Sequence, residues 1–374
     1  MPGEPSRLRH RLSHPAGPGR GVLPGALVLL TASLSLAGQA PEVEHWPPPH
    51  LRETGLYSNW TSRTIDPRHL PFAPQYPLWT DGAGKRRWFS LPEDTWIDAS
   101  DADAWQFPVG TRLWKEFRFA RRAETRFIER TRDGWRYAAY AWTEDEGEAP
   151  LAPDRGVSRS VPIRDGVRHA IPSRTDCLAC HEAGAVPVLG LSALQLSPDR
   201  DPGAPHAEPL PTGGVTLPEL VERGLVRGLP PALLAHPPRI RASTSVARAA
   251  LGYLHANCGH CHSSVGELAS LSFALSYPTG ALDADLPPAV LTSVGLPSRF
   301  DAVGEADVKE RVCAGGDPDH SLLVRRMSSR HPVLQMPPLG SRLVDEDAVR
   351  LFRQWISEDI ATGASAGPVR RGRP

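Results

Sequence analysis

The chain carries no excess charge, because 42 lysines and arginines balance 42 aspartates and glutamates. That balance gives no support to nucleic acid or an anionic membrane surface as a partner. Beyond residue 37 no apolar run approaches the ~18 residues that span a bilayer, so no integral span is expected once a leader is removed. Apart from one short motif there is no internal repeat, which argues against a solenoid or a propeller. Methionine is scarce, with only Met1, Met327 and Met336. Tryptophan is nearly missing from the second half: nine of ten lie between Trp46 and Trp142, and only Trp355 follows. That asymmetry separates an aromatic-rich N-terminal region from the rest. Cysteine is also rare. Of five, four fall in two matched runs.

The runs are Cys177-Leu178-Ala179-Cys180-His181 and Cys258-Gly259-His260-Cys261-His262. Cys-x-x-Cys-His is the attachment signature of c-type haem. Two thiols one helical turn apart reach the two vinyl groups of a porphyrin, and the adjacent histidine lies under the iron as an axial ligand. A shared zinc site would have to bring the pairs together across residues 181–257, far beyond the spacing of a zinc ribbon, and would not explain the recurring histidine. A redox Cys-x-x-Cys would follow a strand in a βαβ pattern, and neither run does. Two c-type haems are therefore expected, with His181 and His262 as iron ligands. Cys313 has no partner and reads as a small packed side chain.

Residues 1–20 are basic, with Arg7, Arg9, Arg11 and Arg20, and an apolar stretch runs from Val22 to Ala37. This reads as a secretory signal over 1–40, with Ser35 and Ala37 as small residues before the cleavage point. An uncleaved N-terminal anchor is the alternative. Either way the folded part is expected to be periplasmic or otherwise extracytoplasmic, the compartment in which c-type haem is attached. At 374 residues the chain has room for two or three domains of ~100–150 residues. Forty prolines and 33 glycines point to many loops and short elements.

Within 41–165 the side chains alternate with period two. Thr125, Phe127 and Glu129 alternate with Arg126, Ile128 and Arg130. Asp133-Gly134 then marks a turn before Trp135, Tyr137 and Ala139, a hairpin pattern. Similar runs from Arg87 to Leu91 and Thr111 to Phe119 lead us to expect an antiparallel, sandwich-like β domain. Residues 166–240 form a loop-rich first haem module with one helix expected over Thr216 to Val226, ended by Gly228. Over 241–362 the spacing of Val246, Ala250, Tyr253 and Leu254 predicts a helix, capped by Ser243 or Ser245, running into Cys258. Asp345 is expected to cap a helix carrying Ala348, Phe352, Trp355 and Ile356. Residues 363–374 read as a disordered tail. The fold class is thus α+β and multidomain, ending in an all-α domain. Met336, held in a loop by Pro337 and Pro338, is the expected distal ligand to the second iron. Met327 is the alternative ligand, but it follows Leu322 and Leu323 in a helix and is expected to pack inward.

Gly252-Tyr253-Leu254 before Asn257-Cys258, then Met336-Pro337-Pro338, then Trp355-Ile356 resemble the class I cytochrome c domain. Upstream, Tyr76-Pro77-Leu78-Trp79-Thr80-Asp81, Phe107-Pro108-Val109-Gly110-Thr111, Glu124-Thr125-Arg126 and Ala141-Trp142-Thr143-Glu144-Asp145 resemble a family of uncharacterised bacterial diheme c-type cytochromes. The resemblance implies two haems and electron transfer with a redox partner protein, and it brings no substrate. For the first haem, no methionine lies between His181 and the second motif, which leaves His169, His206, His236, His255, His260 or an open position. Two functions remain in play. One is an electron carrier with both irons saturated; the other is a diheme peroxidase-like enzyme with an open first haem.

Overall fold

Alternating side chains between Gly84 and Ala141 build the main sheet. The computed structural model describes residues 46–279, 286–300 and 308–363. The signal expected over 1–40 lies outside the described residues, as does the expected tail apart from Gly363. Strands β1 (Tyr57–Asn59) and β2 (Thr64–Ile65) form a small antiparallel pair. Strands β3 (Leu70–Pro71), β4 (Gly84–Ser90), β6 (Arg112–Arg118), β7 (Arg122–Thr131) and β8 (Gly134–Ala141) form a five-stranded antiparallel sheet in that order. The short β5 (Ile97–Asp98) stands outside it and pairs in parallel with β9 (Val226–Arg227). The hairpin read from the alternation is present: β7 and β8 pair from Glu124↔Ala141 to Thr131↔Gly134.

Period two gives the sheet two different faces. The row Trp88, Trp114, Phe127 and Ala138 joins Leu51, Leu56 and Tyr57 in one apolar core. The next row is Arg87, Lys115, Arg126 and Ala139, on the opposite face. Three cations side by side on a sheet face repel one another and call for covering anions. Two of the three are answered within the chain, as described below.

The later part of the chain is helical: α1 (Arg174–His181), α2 (Leu217–Glu222), α3 (Ala232–Ala235), α4 (Ser245–Asn257), α5 (Pro288–Leu291), α6 (Leu322–Met327) and α7 (Glu346–Gln354). The architecture is therefore mixed α+β, with an N-terminal antiparallel sheet followed by several helices. No helix among the described residues is long and apolar enough to cross a membrane. The helix expected to reach Val226 stops at Glu222, because Gly224 takes φ +68° and Val226 is drawn into pairing with β5. The cap of α4 is Thr244, between the two serines expected; its hydroxyl accepts from Ala247 N–H at 3.0 Å. Asp345 caps α7 as expected, accepting from Ala348 N–H at 3.1 Å.

α4 and α7 pack together through Tyr253 and Phe352, whose rings meet edge-on at 5.7 Å, beside fully buried Trp355 and Ile356. On its other side α4 meets the β3–β4 connection at Gly252, where an added Cβ would lie 2.0 Å from the Tyr76 ring. Tyr76 cannot swing away easily, since it is buried and its hydroxyl donates to Asp201 at 3.1 Å. Overpacking of this kind costs about 1–3 kcal/mol, against roughly 1 kcal/mol of helix propensity gained by replacing glycine. Gly252→Ala should accordingly lower stability in urea denaturation despite alanine's preference for helix. An unchanged or raised midpoint would mean that this contact is loose.

Candidate functional site

The first motif forms a helical turn because Ser173 and Asp176 make a reciprocal cap. Asp176 N–H donates to Ser173 Oγ at 3.1 Å, and Ser173 N–H donates to Asp176 Oδ2 at 2.9 Å. This cap places Cys177, Cys180 and His181 on α1, against β8, with the His181 and Tyr137 rings 5.1 Å apart. His181 Nδ1–H donates to the Pro187 carbonyl at 2.7 Å. A carbonyl can only accept, so the tautomer is set and Nε2 keeps its lone pair.

The second motif begins where α4 ends. Cys258 N–H continues the helix to Leu254 O at 3.0 Å, and His262 N–H closes on Cys258 O at 2.8 Å. Asn257 anchors this corner: its Oδ1 accepts from Trp79 N–H at 2.6 Å and its Nδ2 donates to Tyr253 O at 3.2 Å. The His262 ring lies 5.0 Å from Phe273. The Met336 loop is laced to α6, with Met336 N–H donating to Arg326 O at 3.0 Å and Arg326 Nε donating to Leu334 O at 2.9 Å. Beyond it, Asp81 Oδ1 accepts from Arg342 and Leu343 N–H at 2.7 and 2.8 Å.

Cys177, Cys180, His181, Cys258, Cys261, His262 and Met336 all line one cavity of about 590 Å³, within the ~300–1,000 Å³ range of cofactor sites. The loops after the two motifs touch backbone to backbone. A Cβ on Gly184 would lie 3.0 Å from His260 O, and one on Gly266, at φ +87°, would lie 2.0 Å from Ala183 O. Only glycine allows that approach. Cys180 is near enough to Cys261 to act on its thiol electrostatically.

None of the cysteines is in a disulfide. Burial raises all four motif thiols, Cys258 to about 12 and Cys261 to about 11. Burial likewise pushes His181, His260 and His262 down to about 4. The cavity thus presents neutral thiols and neutral imidazoles at pH 7. Among the described residues the four cysteines do not converge on a point. The one cluster tight enough for a cation is His206, Asp345 and Asp347, away from both motifs in sequence.

Four of the five histidines considered for the first site turn elsewhere. His169 Nε2–H donates to Glu124 at 3.0 Å, His206 Nε2–H donates to Asp345 at 2.9 Å, and His255 Nδ1 accepts from Tyr277 N–H at 3.1 Å. His236 is exposed. Only His260 lines the cavity, with Nδ1 buried and without a partner. Met327 belongs to the helical core and also lines the same cavity as Met336. Cys313 stands outside the cavity lining.

Sequence reasoning missed the sheet's contribution. Arg87, Lys115 and Arg126 line the same cavity, and their signal was cations at inward positions of alternating strands. Arg126 donates to Glu124 at 2.7 Å, and Glu124 also accepts from His169. Burial alone would raise the Glu124 carboxyl, but the Arg126 guanidinium and the His169 ring outweigh it and hold the group at about 2. A depressed carboxyl contributes stability above its unfolded value of about 4.5, and that stability is lost as pH falls toward 2. Glu124→Gln should therefore lower stability near pH 7 and flatten the loss between pH 4.5 and 2, as read by denaturant melts across that window.

Comparison with protein-family models, with curated proteins and with solved structures found no match.

Proposed function

We propose that the chain is an extracytoplasmic diheme c-type cytochrome that carries electrons, with one haem joined through Cys177 and Cys180 and a second through Cys258 and Cys261. The observation that carries this reading is the single cavity onto which both Cys-x-x-Cys-His runs and Met336 open. The donor chemistry fits. Thioether formation consumes neutral thiols, and surroundings that hold thiols protonated disfavour four zinc-bound thiolates. Bound iron porphyrin would supply one-electron exchange between the ferric and ferrous states.

The chain's own residues do the rest. The Pro187 carbonyl orients His181 so that Nε2 is available as a ligand, the outer partner that haem histidines require. His262 and Met336 are the ligand pair of the second site, and Leu275 and Leu322 in the cavity wall keep water from it. Contact between the 183–184 and 260–266 segments brings the two sites close, which favours exchange between them. Leu268 and Leu339 line the cavity and are each 37% exposed, an apolar rim suited to a redox partner protein. In this reading residues 241–362 form a class I cytochrome c-like domain and 166–240 the first haem module. The β1–β2 pair layered on the tryptophan face makes the N-terminal region sandwich-like.

A peroxidase-like role is the alternative, because no methionine lies between the two motifs in sequence and, of the histidines considered, only His260 lines the cavity. Protein expressed with a c-type maturation system should carry two covalent haems per chain and show a bisignate Soret dichroism from their proximity. Absence of covalent haem would remove the reading. Rapid cyanide binding to a high-spin first haem, with peroxide turnover, would favour the enzyme over the carrier.

A further inference from the structure

Of the three cations in the cross-strand row that lines the cavity, one has no carboxylate partner. Arg87 is paired with Glu208 and Arg126 with Glu124. Lys115, between them in the same cross-strand row, has no hydrogen-bond acceptor or carboxylate partner among the described residues. Its ammonium lies 4.9 Å from the Phe117 ring. Lys115 is half-buried and lines the cavity, and a partly desolvated ammonium is stabilised by an anion that meets it. Burial, reinforced by Arg87, Lys85 and Arg126, accordingly holds Lys115 well below the usual lysine range in the protein alone.

The row also has a direction. α1 packs on β8, Cys177 lines a small pocket together with Ala138 and Ala139, and the row runs from Ala139 through Arg126 to Lys115. Strands about 4.8 Å apart put the Lys115 backbone roughly 10 Å from the β8 side where the thiols sit. Lys115 is near enough to act electrostatically on Cys180 and His181, so a carboxylate-bearing group anchored at Cys177 and Cys180 would lie within reach of this row.

We propose that Lys115, flanked by Arg87 and Arg126, is an anion-binding site on the cavity wall beside the first motif, receiving a carboxylate or small oxoanion. Its occupant is either a propionate of the first haem or a free oxoanion drawn from solution. The proposal rests on the haem reading of the first motif, and the two are separable by experiment. Lys115→Met and Lys115→Arg are prepared in wild-type and Met336→Ala backgrounds, and mass spectrometry first establishes two covalent haems in each; loss of haem from the wild type counts against the haem reading, not against the anion site. Each protein is then titrated potentiometrically, the first haem being the component that Met336→Ala leaves in place, and titrated with nitrite and with inorganic phosphate while the Soret band is followed. A propionate occupant predicts a lower first-haem potential in Lys115→Met, a near-wild-type value in Lys115→Arg and no response to added anion. A free oxoanion predicts a saturable Soret shift in the wild type that is weakened at least tenfold in Lys115→Met. With both haems in place, a Lys115→Met protein matching the wild type in potential and in both anion titrations would overturn the site.

Discussion

Replacing Cys177 and Cys180 together by alanine should leave one covalent haem per chain, detected as the loss of one haem mass and of half the pyridine haemochrome signal. Replacing Cys258 and Cys261 should do the same, since attachment at each site needs its own thiols. The two variants should differ in where they loosen. The first motif lies on an eight-residue helix between loops, so its loss should raise amide exchange over residues 174–190. The second motif ends a 13-residue helix already packed on α7 through Tyr253 and Phe352, so exchange there should rise less. Stability should fall in both. Emptying a third of the roughly 590 Å³ cavity would cost about 5 kcal/mol if the space stayed dry, at ~24 cal/mol per Å³. Retention of two covalent haems in either variant would refute the attachment assignment.

Met336→Ala should lower the potential of the second haem and open its iron to carbon monoxide and cyanide. A thioether opposite imidazole favours the ferrous state, and axial ligands as a set span about 0.8 V, so removing this one should shift the potential on the order of 0.1–0.3 V. The fold should tolerate the change, because the loop is held by backbone bonds: Met336 N–H to Arg326 O, and Arg342 and Leu343 N–H to Asp81. Met327→Ala should behave differently. Met327 is buried in the helical core, so its truncation should lower stability by roughly 2–5 kcal/mol with the ligand-binding spectrum of the second haem unchanged. If Met336→Ala changes neither potential nor ligand access, the axial assignment fails.

Local rules were legible where neighbours in sequence are neighbours in space. The β7–β8 hairpin follows from two-residue alternation around Asp133-Gly134, α4 follows from its apolar spacing though its cap is Thr244, and α7 follows from its Asp345 cap and from Ala348 and Phe352, with Trp355 and Ile356 just past its end. The α2 boundary was misplaced because its end depends on a distant strand: Val226 leaves the helical pattern to pair with Ile97. Alternation in β7 likewise separated Phe127 from Arg126 and Ile128 but could not say which set meets solvent. Both are covered, one by the tryptophan core and the other by the cavity.

The sequence by itself determined the chemistry offered at each motif, since Cys-x-x-Cys-His is a local constellation within one helical turn, and it determined the rarity that singles out Met336. Tertiary structure alone decided that the two motifs share a cavity. It did so through glycine-permitted contact of the 183–184 and 260–266 loops, a juxtaposition across nearly eighty residues that no local pattern encodes. It also decided that His169, His206 and His255 are engaged elsewhere, and that a cationic row from three strands faces the first motif. Hydrogen-bond partners and sheet register are long-range properties, set by which surfaces the packed chain brings together.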